Sequence, residues 1–155
     1  MIHIGIETLE AQDVVALLEE HLADMHATSP PESVHALDVT ALKAANITFY
    51  SARQNGQLLG CAAIKALGEG QAELKSMRTT PAARQQGVGA RLLTHVLEEA
   101  RARDYHTVYL ETGSMAFFEP ARRLYARFGF EYCGPFGSYR LDPNSCFMRL
   151  CLTEG

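Results

Sequence analysis

Between Glu73 and Leu93 the apolar pattern changes from alternation to a helical stripe, and the change falls on a Gly-Val-Gly step. The segment reads Glu-Leu-Lys-Ser-Met-Arg-Thr-Thr-Pro-Ala-Ala-Arg-Gln-Gln-Gly-Val-Gly-Ala-Arg-Leu-Leu. Gln71 to about Thr79 fits a strand, and Pro81 ends it. Val88, Leu92, Leu93, Val96, Leu97 and Ala100 then mark one face of a helix running to about Arg103. A strand passed through a short loop to such a helix must have that apolar face packed against a neighbouring layer.

The flanking segments extend the pattern. Ile2, Ile4 and Ile6 alternate as in a half-buried strand, and Val14, Leu17, Leu18, Leu22 and Met25 form a helical stripe. Ser29-Pro30-Pro31 breaks the chain, and Glu32 to Leu42 fits a short second helix. Ile47–Gln54 and Gln57–Leu67 are strand-like runs joined by Asn55-Gly56, the strongest short hairpin signal. Gly68-Glu69-Gly70 turns the chain into the Gln71–Thr79 strand. After the long helix come a short strand from Thr107, a helical stripe of Phe117, Ala121, Leu124, Tyr125 and Phe128, and Gly129 as its left-handed cap. Phe130–Cys133 and Phe147–Leu152 close the chain as strands around a Gly/Pro/Asp/Asn loop. The expected class is α/β, a mixed sheet flanked by helices on both faces, with residues 1–155 as a single domain.

At 155 residues, 47% hydrophobic and 21% charged, the chain can build one core without metal or disulfide staples. Its net charge of -4 argues against nucleic acid or an anionic membrane as the main partner. Cys61, Cys133, Cys146 and Cys151 show no C-x-x-C spacing, and the six histidines form no H-E-x-x-H, so no metal is expected. Neither a leader pattern nor an apolar run of ~20 residues is present, which places the expected protein in the cytoplasm.

The glycines at 87 and 89 precede a helix whose first amides have no intrahelical partner and carry the positive end of its dipole. Without side chains there, a phosphate can approach closely, and Arg84 and Arg91 add charge. A phosphate-binding P-loop would need Gly-Lys-Ser/Thr where Gly89-Ala90-Arg91 stands, and a dinucleotide fingerprint would need glycine at Leu92. A tight turn with no ligand remains the alternative for the glycines taken alone.

Arg84-Gln-Gln-Gly-Val-Gly resembles the Arg/Gln-x-x-Gly-x-Gly/Ala loop of the GNAT acetyltransferases, and Leu124-Tyr-Ala-Arg-Phe-Gly-Phe is similar to their later helix. The resemblance implies the GNAT fold: a splayed, mostly antiparallel sheet of about seven strands. Acetyl-CoA would lie in the opening between the Gln71–Thr79 and Thr107–Glu111 strands. It further implies that Met77, Arg78 and Thr79 line the pantetheine through their backbone. An amide near Met77 would act as an oxyanion donor, a role worth ~3 kcal/mol. Arg84, Gln85, Gln86, Gly87, Val88, Gly89, Ala90 and Arg91 would hold the pyrophosphate. Where the family often carries an asparagine, this chain has Phe118.

Glu73 aligns with the strand glutamate that many family members use as general base, and Tyr125 with the tyrosine that protonates the departing thiolate. Residues 73, 75 and 77 are expected on one strand face, so a structural Glu73–Lys75 ion pair competes with the base role. Tyr125 also lies on the buried stripe, where it could simply pack. The acceptor would enter between the first helices and the last hairpin. Ser29, Glu32, His35 and Asp38 are its candidates there, with Tyr139 from the loop, and the mixture suits a small-molecule amine such as an amino acid. No cysteine has a base at readable spacing, which favours direct transfer. A non-catalytic acetyl-CoA sensor and a protein-lysine acetyltransferase remain alternatives, and exposed C-terminal strands could pair in a homodimer.

Overall fold

The computed structural model describes residues 2–34, 39–80, 83 and 86–152, with the side chains of Glu32 and Val39 left out. Seven strands form one sheet in the order β1-β2-β3-β4-β5-β7-β6. They are β1 (His3–Ile6), β2 (Ile47–Gln54), β3 (Gln57–Gly68), β4 (Gln71–Thr79), β5 (Thr107–Gly113), β6 (Glu131–Cys133) and β7 (Ser145–Cys151). Every pairing is antiparallel except that of β4 with β5. The helices are α1 (Gln12–Thr28), α2 (Val39–Leu42), α3 (Val88–Ala102) and α4 (Glu119–Arg127).

Hydrophobic burial accounts for both faces. The α3 stripe is buried in full and packs with Tyr125 of α4 on Ile64, Ala72, Leu74, Val108 and Leu110. Val14, Leu17 and Leu18 of α1 and Leu42 of α2 cover Phe49, Cys61 and Ala63 on the other face. Each such side chain contributes about 1.5–3 kcal/mol when fully buried. The Asn55-Gly56 turn has φ of 53° and 80°, as its two-residue hairpin requires.

Three local expectations change. Where one helix was expected over Glu32 to Leu42, the described residues show a 3-10 turn at Pro31–Ser33, an extended Val34 and the single turn of α2, while His35 and Asp38 lie outside the described residues. Phe117 and Phe118 belong to a separate 3-10 turn, Ala116–Phe118, because Pro120 favours a helix that begins beside it. The third change is in β4. Cys61 faces Arg78 while Ala63 faces Lys75, so Ser76 and Met77 together oppose Ala62. This is a β-bulge, with Ser76 at φ 53°. Glu73 and Lys75 do share the α1 face, but the bulge moves Met77 to the α3 face, where it packs against the main core.

Candidate active site

The sheet opens at its centre. β4 and β5 pair only from Gln71↔Thr107 to Leu74↔Leu110, and beyond that point both strands continue apart. Thr80 donates its N–H to Leu59 O at 2.8 Å. Backbone groups alternate sides along an antiparallel ladder, so Thr79, and Met77 two residues before it, turn theirs away from β3 into the opening. Met77 and Thr79 therefore present backbone hydrogen-bonding groups where the sequence placed the pantetheine.

Gly87 caps α3 in the left-handed region at φ 79°, a conformation that costs a side-chain-bearing residue about 1–2 kcal/mol. The amides of Val88, Gly89 and Ala90 follow in the first turn, where an α-helix offers no internal acceptor, and the next amide, that of Arg91, bonds Gly87 O at 3.1 Å. A Cβ on Gly89 would meet Leu124 Cδ2 at 3.4 Å and Met77 Cε at 3.6 Å, so the first turn of α3 lies beside both strand β4 and helix α4. Arg91 is exposed on that turn, and Gln86 lies just ahead of it; Arg84 and Gln85 fall outside the described residues. This end of the opening suits an anionic diphosphate.

Arg78 behaves differently. Its buried guanidinium is paired with Glu20 and, at 2.6 Å, with Asp24 of α1, so only its backbone remains for a co-substrate. Burial and the nearby Arg78 charge push His21 down to about 4, with Asp24 opposing them.

On the α1 face, residues 134–144 fold back over the sheet. Phe136 stacks on Tyr109 at 4.8 Å, and Tyr139 packs on Phe147 at 5.6 Å. Glu73, only 3% exposed, accepts hydrogen bonds at Oε2 from Lys75 Nζ at 3.0 Å and from Tyr139 OH at 2.5 Å. The ion pair that competed with the base role is thus present, and Tyr139 completes it. Burial and the Glu73 carboxylate raise Tyr139 above the usual phenol range, which keeps it a donor. A cleft of about 450 Å³ runs along this wall, lined by Lys65, Glu73, Lys75, Tyr139, Arg140 and Asp142 among others. Ser33 Oγ donates to Asp142 Oδ2 at 2.5 Å, which joins the two segments expected to receive the acceptor. Ser29 closes α1 through its amide to Met25 O at 2.9 Å and does not reach Tyr139 or Glu73 by any hydrogen bond among the described residues.

Tyr125 is 7% exposed and its hydroxyl has no hydrogen-bond partner among the described residues. Burial first, and then the charge of Glu111, raise it well above the usual range, so it is protonated at neutral pH. Glu111 is the functional candidate that the sequence reading missed. It stands one residue past the last β4–β5 pair, and burial, with Glu73 and Asp142 adding to it against Ser145 and Lys75, pushes its carboxyl up to about 7. Its signal was an acid ending the apolar run Thr-Val-Tyr-Leu, two residues past Tyr109 and therefore on the face shared with Glu73.

The acetyltransferase (GNAT) family model matches residues 14–130. The chain belongs to the GNAT acetyltransferase family. The uncharacterized N-acetyltransferase YsnE of Bacillus subtilis is 51% identical over 94% of this chain and 97% of its own. A protein of Azospirillum brasilense named IAA acetyltransferase is 41% identical over 88% of each chain. Among solved structures, a Klebsiella pneumoniae protein provisionally named an acyl-CoA N-acyltransferase superposes with a TM-score of 0.81 at 29% identity, covering 99% of both chains. The PaiA N-acetyltransferase of Thermoplasma acidophilum in complex with coenzyme A shares the fold with a TM-score of 0.73 at 15% identity, over 97% and 99% of the two chains. This GNAT protein is accordingly an acetyl-CoA-dependent N-acetyltransferase, and the open β4 edge leading to the α3 amides fits that co-substrate. No helix among the described residues is long and apolar enough to cross a membrane.

Proposed function

We propose that this GNAT acetyltransferase moves acetyl from acetyl-CoA directly to the amine of a small molecule within a single domain spanning residues 1–155. The observation carrying the reading is the sheet opening itself: β4 backbone unpaired by β5 along one wall and helix-start amides at one end, with the buried Tyr125 in the core behind it. Acetyl-CoA supplies an activated thioester. The amides of Val88, Gly89 and Ala90, with Gln86 and Arg91 beside them, hold its diphosphate, while Met77 and Thr79 orient its pantetheine as an added strand would. A carboxylate on the α1 face, in the Glu73 and Glu111 cluster, receives the proton that an ammonium must lose before its nitrogen can attack. Tyr125, held protonated by its burial, gives a proton to the departing thiolate.

The contact between Ser33 and Asp142 narrows the acceptor side into a walled cleft, which favours a small acceptor over an extended peptide. The relative named IAA acetyltransferase is consistent with that preference. Lys65, Lys75 and Arg140 beside Glu73 and Asp142 suit an amine that also carries a carboxylate, with Tyr139 forming part of its wall. The test is a screen of amino acids and primary amines for free thiol released from acetyl-CoA. Rapid thiol release with one acceptor class is expected. Tight coenzyme A binding with no release across a broad panel would instead support the sensor reading.

A further inference from the structure

Two carboxylates on one sheet face could serve as the proton acceptor, and their surroundings separate them. Glu73 Oε2 already accepts from Lys75 and from Tyr139, and the side chain is nearly sealed from solvent. A substrate ammonium would there meet a carboxylate already shared with a cation and a phenol. Glu111 stands on the first β5 position with no β4 residue opposite, and it is more accessible than Glu73. The groups in electrostatic contact with it are Glu73 and Lys75 on β4, Ser145 on β7, Asp142 and Tyr139 in the loop over the sheet, and Tyr125 on α4. Tyr125, a buried residue of α4 in the core on the opposite face of the sheet, lies close enough to Glu111 to feel its charge.

We propose that Glu111, not Glu73, takes the proton from the acceptor ammonium, and that Glu73, held by Lys75 and Tyr139, is a positioning residue. This rests on the acetyltransfer reading above. Two protons leave the ammonium in the overall reaction. The first passes to the Glu111 carboxylate and then to water, freeing the nitrogen lone pair. That nitrogen forms the C–N bond at the thioester carbon, and the C–S bond breaks as the tetrahedral adduct collapses. Tyr125 gives its proton to the leaving sulfur and regains one, by way of solvent, as the adduct nitrogen loses the second. A carboxyl at about 7 is divided between its two forms at neutral pH, as a general base requires.

The experiment compares wild type, Glu111→Gln and Glu73→Gln by the pH dependence of kcat/KM, using the fastest amine of the panel or, if none turns over, the hydrolysis of acetyl-CoA by water. Coenzyme A affinity is followed by calorimetry. Wild type should gain activity through an acidic limb near pH 7. Glu111→Gln should lose roughly 100-fold in kcat and the limb itself, with coenzyme A affinity within about twofold. Glu73→Gln should keep the limb, moved to lower pH because a like charge has gone, with a loss mainly in KM. An acceptor-independent arm titrates the carboxyl 13C resonances of the coenzyme A complex, where the signal missing from Glu111→Gln should move near pH 7. The proposal is overturned if the limb disappears in Glu73→Gln and survives in Glu111→Gln, or if the Glu111 signal titrates in the ordinary carboxylate range. Absence of coenzyme A binding to wild type would strike the acetyltransferase reading instead.

Discussion

Gly113 ends β5 where Phe118 crosses it, and an alanine there makes a quantitative test of how the start of α4 is held. A Cβ at Gly113 would lie 2.2 Å from Phe118 Cδ2 and 2.3 Å from Cε2. Carbon atoms settle at about 3.5–4.0 Å, so the ring would have to retreat by more than 1 Å. Little around it can yield. Phe118 is 7% exposed, and its amide closes the 3-10 turn onto Met115 O at 3.0 Å. Arg122 Nη1 donates to Gly113 O at 2.6 Å and to Met115 O at 3.0 Å, pinning both backbone segments. The variant Gly113→Ala should therefore fall in the upper part of the overpacking range, about 2–3 kcal/mol. For a chain of this length that corresponds to a Tm lower by roughly 4–12 °C. Phe118→Ala alone should cost about 3–5 kcal/mol through the space it leaves. Combined, the two should cost at least about 1 kcal/mol less than their sum, because the alanine ring clash has no ring left to meet. Urea denaturation of all four proteins measures the cycle. Strict additivity, or a Gly113→Ala protein within 0.5 kcal/mol of wild type on the order of the usual surface change, would refute the packing argument.

Further tests follow from the site. Tyr125→Phe should lower kcat well over tenfold (roughly 10²-fold, the lower end for a proton-transfer group) with the acetyl-CoA Kd nearly unchanged, and a full-speed variant would remove its role as acid. Arg78→Met removes a positive charge beside His21, so the imidazole should titrate above its present value of about 4 while burial keeps it below 6.5, as followed by NMR. Glu111 has a folded pKa raised above its unfolded value, so its contribution to stability is complete below about 4.5 and is lost as pH rises through about 7. Glu111→Gln should remove that slope, worth about 3 kcal/mol at most, from denaturation curves taken between pH 4 and pH 8, and an unchanged slope would count against the buried placement.

Most of the scaffold was legible because its signals are local. The Asn55-Gly56 turn, the alternating runs beside it and the stripe from Val88 to Ala100 each depend on neighbours within a few residues, and all appear where expected. The left-handed cap at Gly129, with φ 96°, was readable for the same reason. The bulge at Ser76 was not, since a one-residue slip depends on how β3 and β4 meet and leaves no mark in either strand alone. The partners of Glu73 were half visible: Lys75 stands two residues away, but Tyr139 arrives from a loop 66 positions later. Glu111 escaped because its character comes from what surrounds it: burial first, then Ser145, Lys75, Glu73 and Asp142 from separate segments.

The halves of the sheet are joined through only four residue pairs, Gln71–Leu74 with Thr107–Leu110, all at one end. Such a join acts as the spring of a clothes-peg. Ala72 and Val108, both fully buried at that spring, set how wide the far end gapes although neither borders the chemistry. Enlarging either would tilt the jaws by leverage, so grip on the donor is governed as much by the size of two small core residues as by any group that touches it.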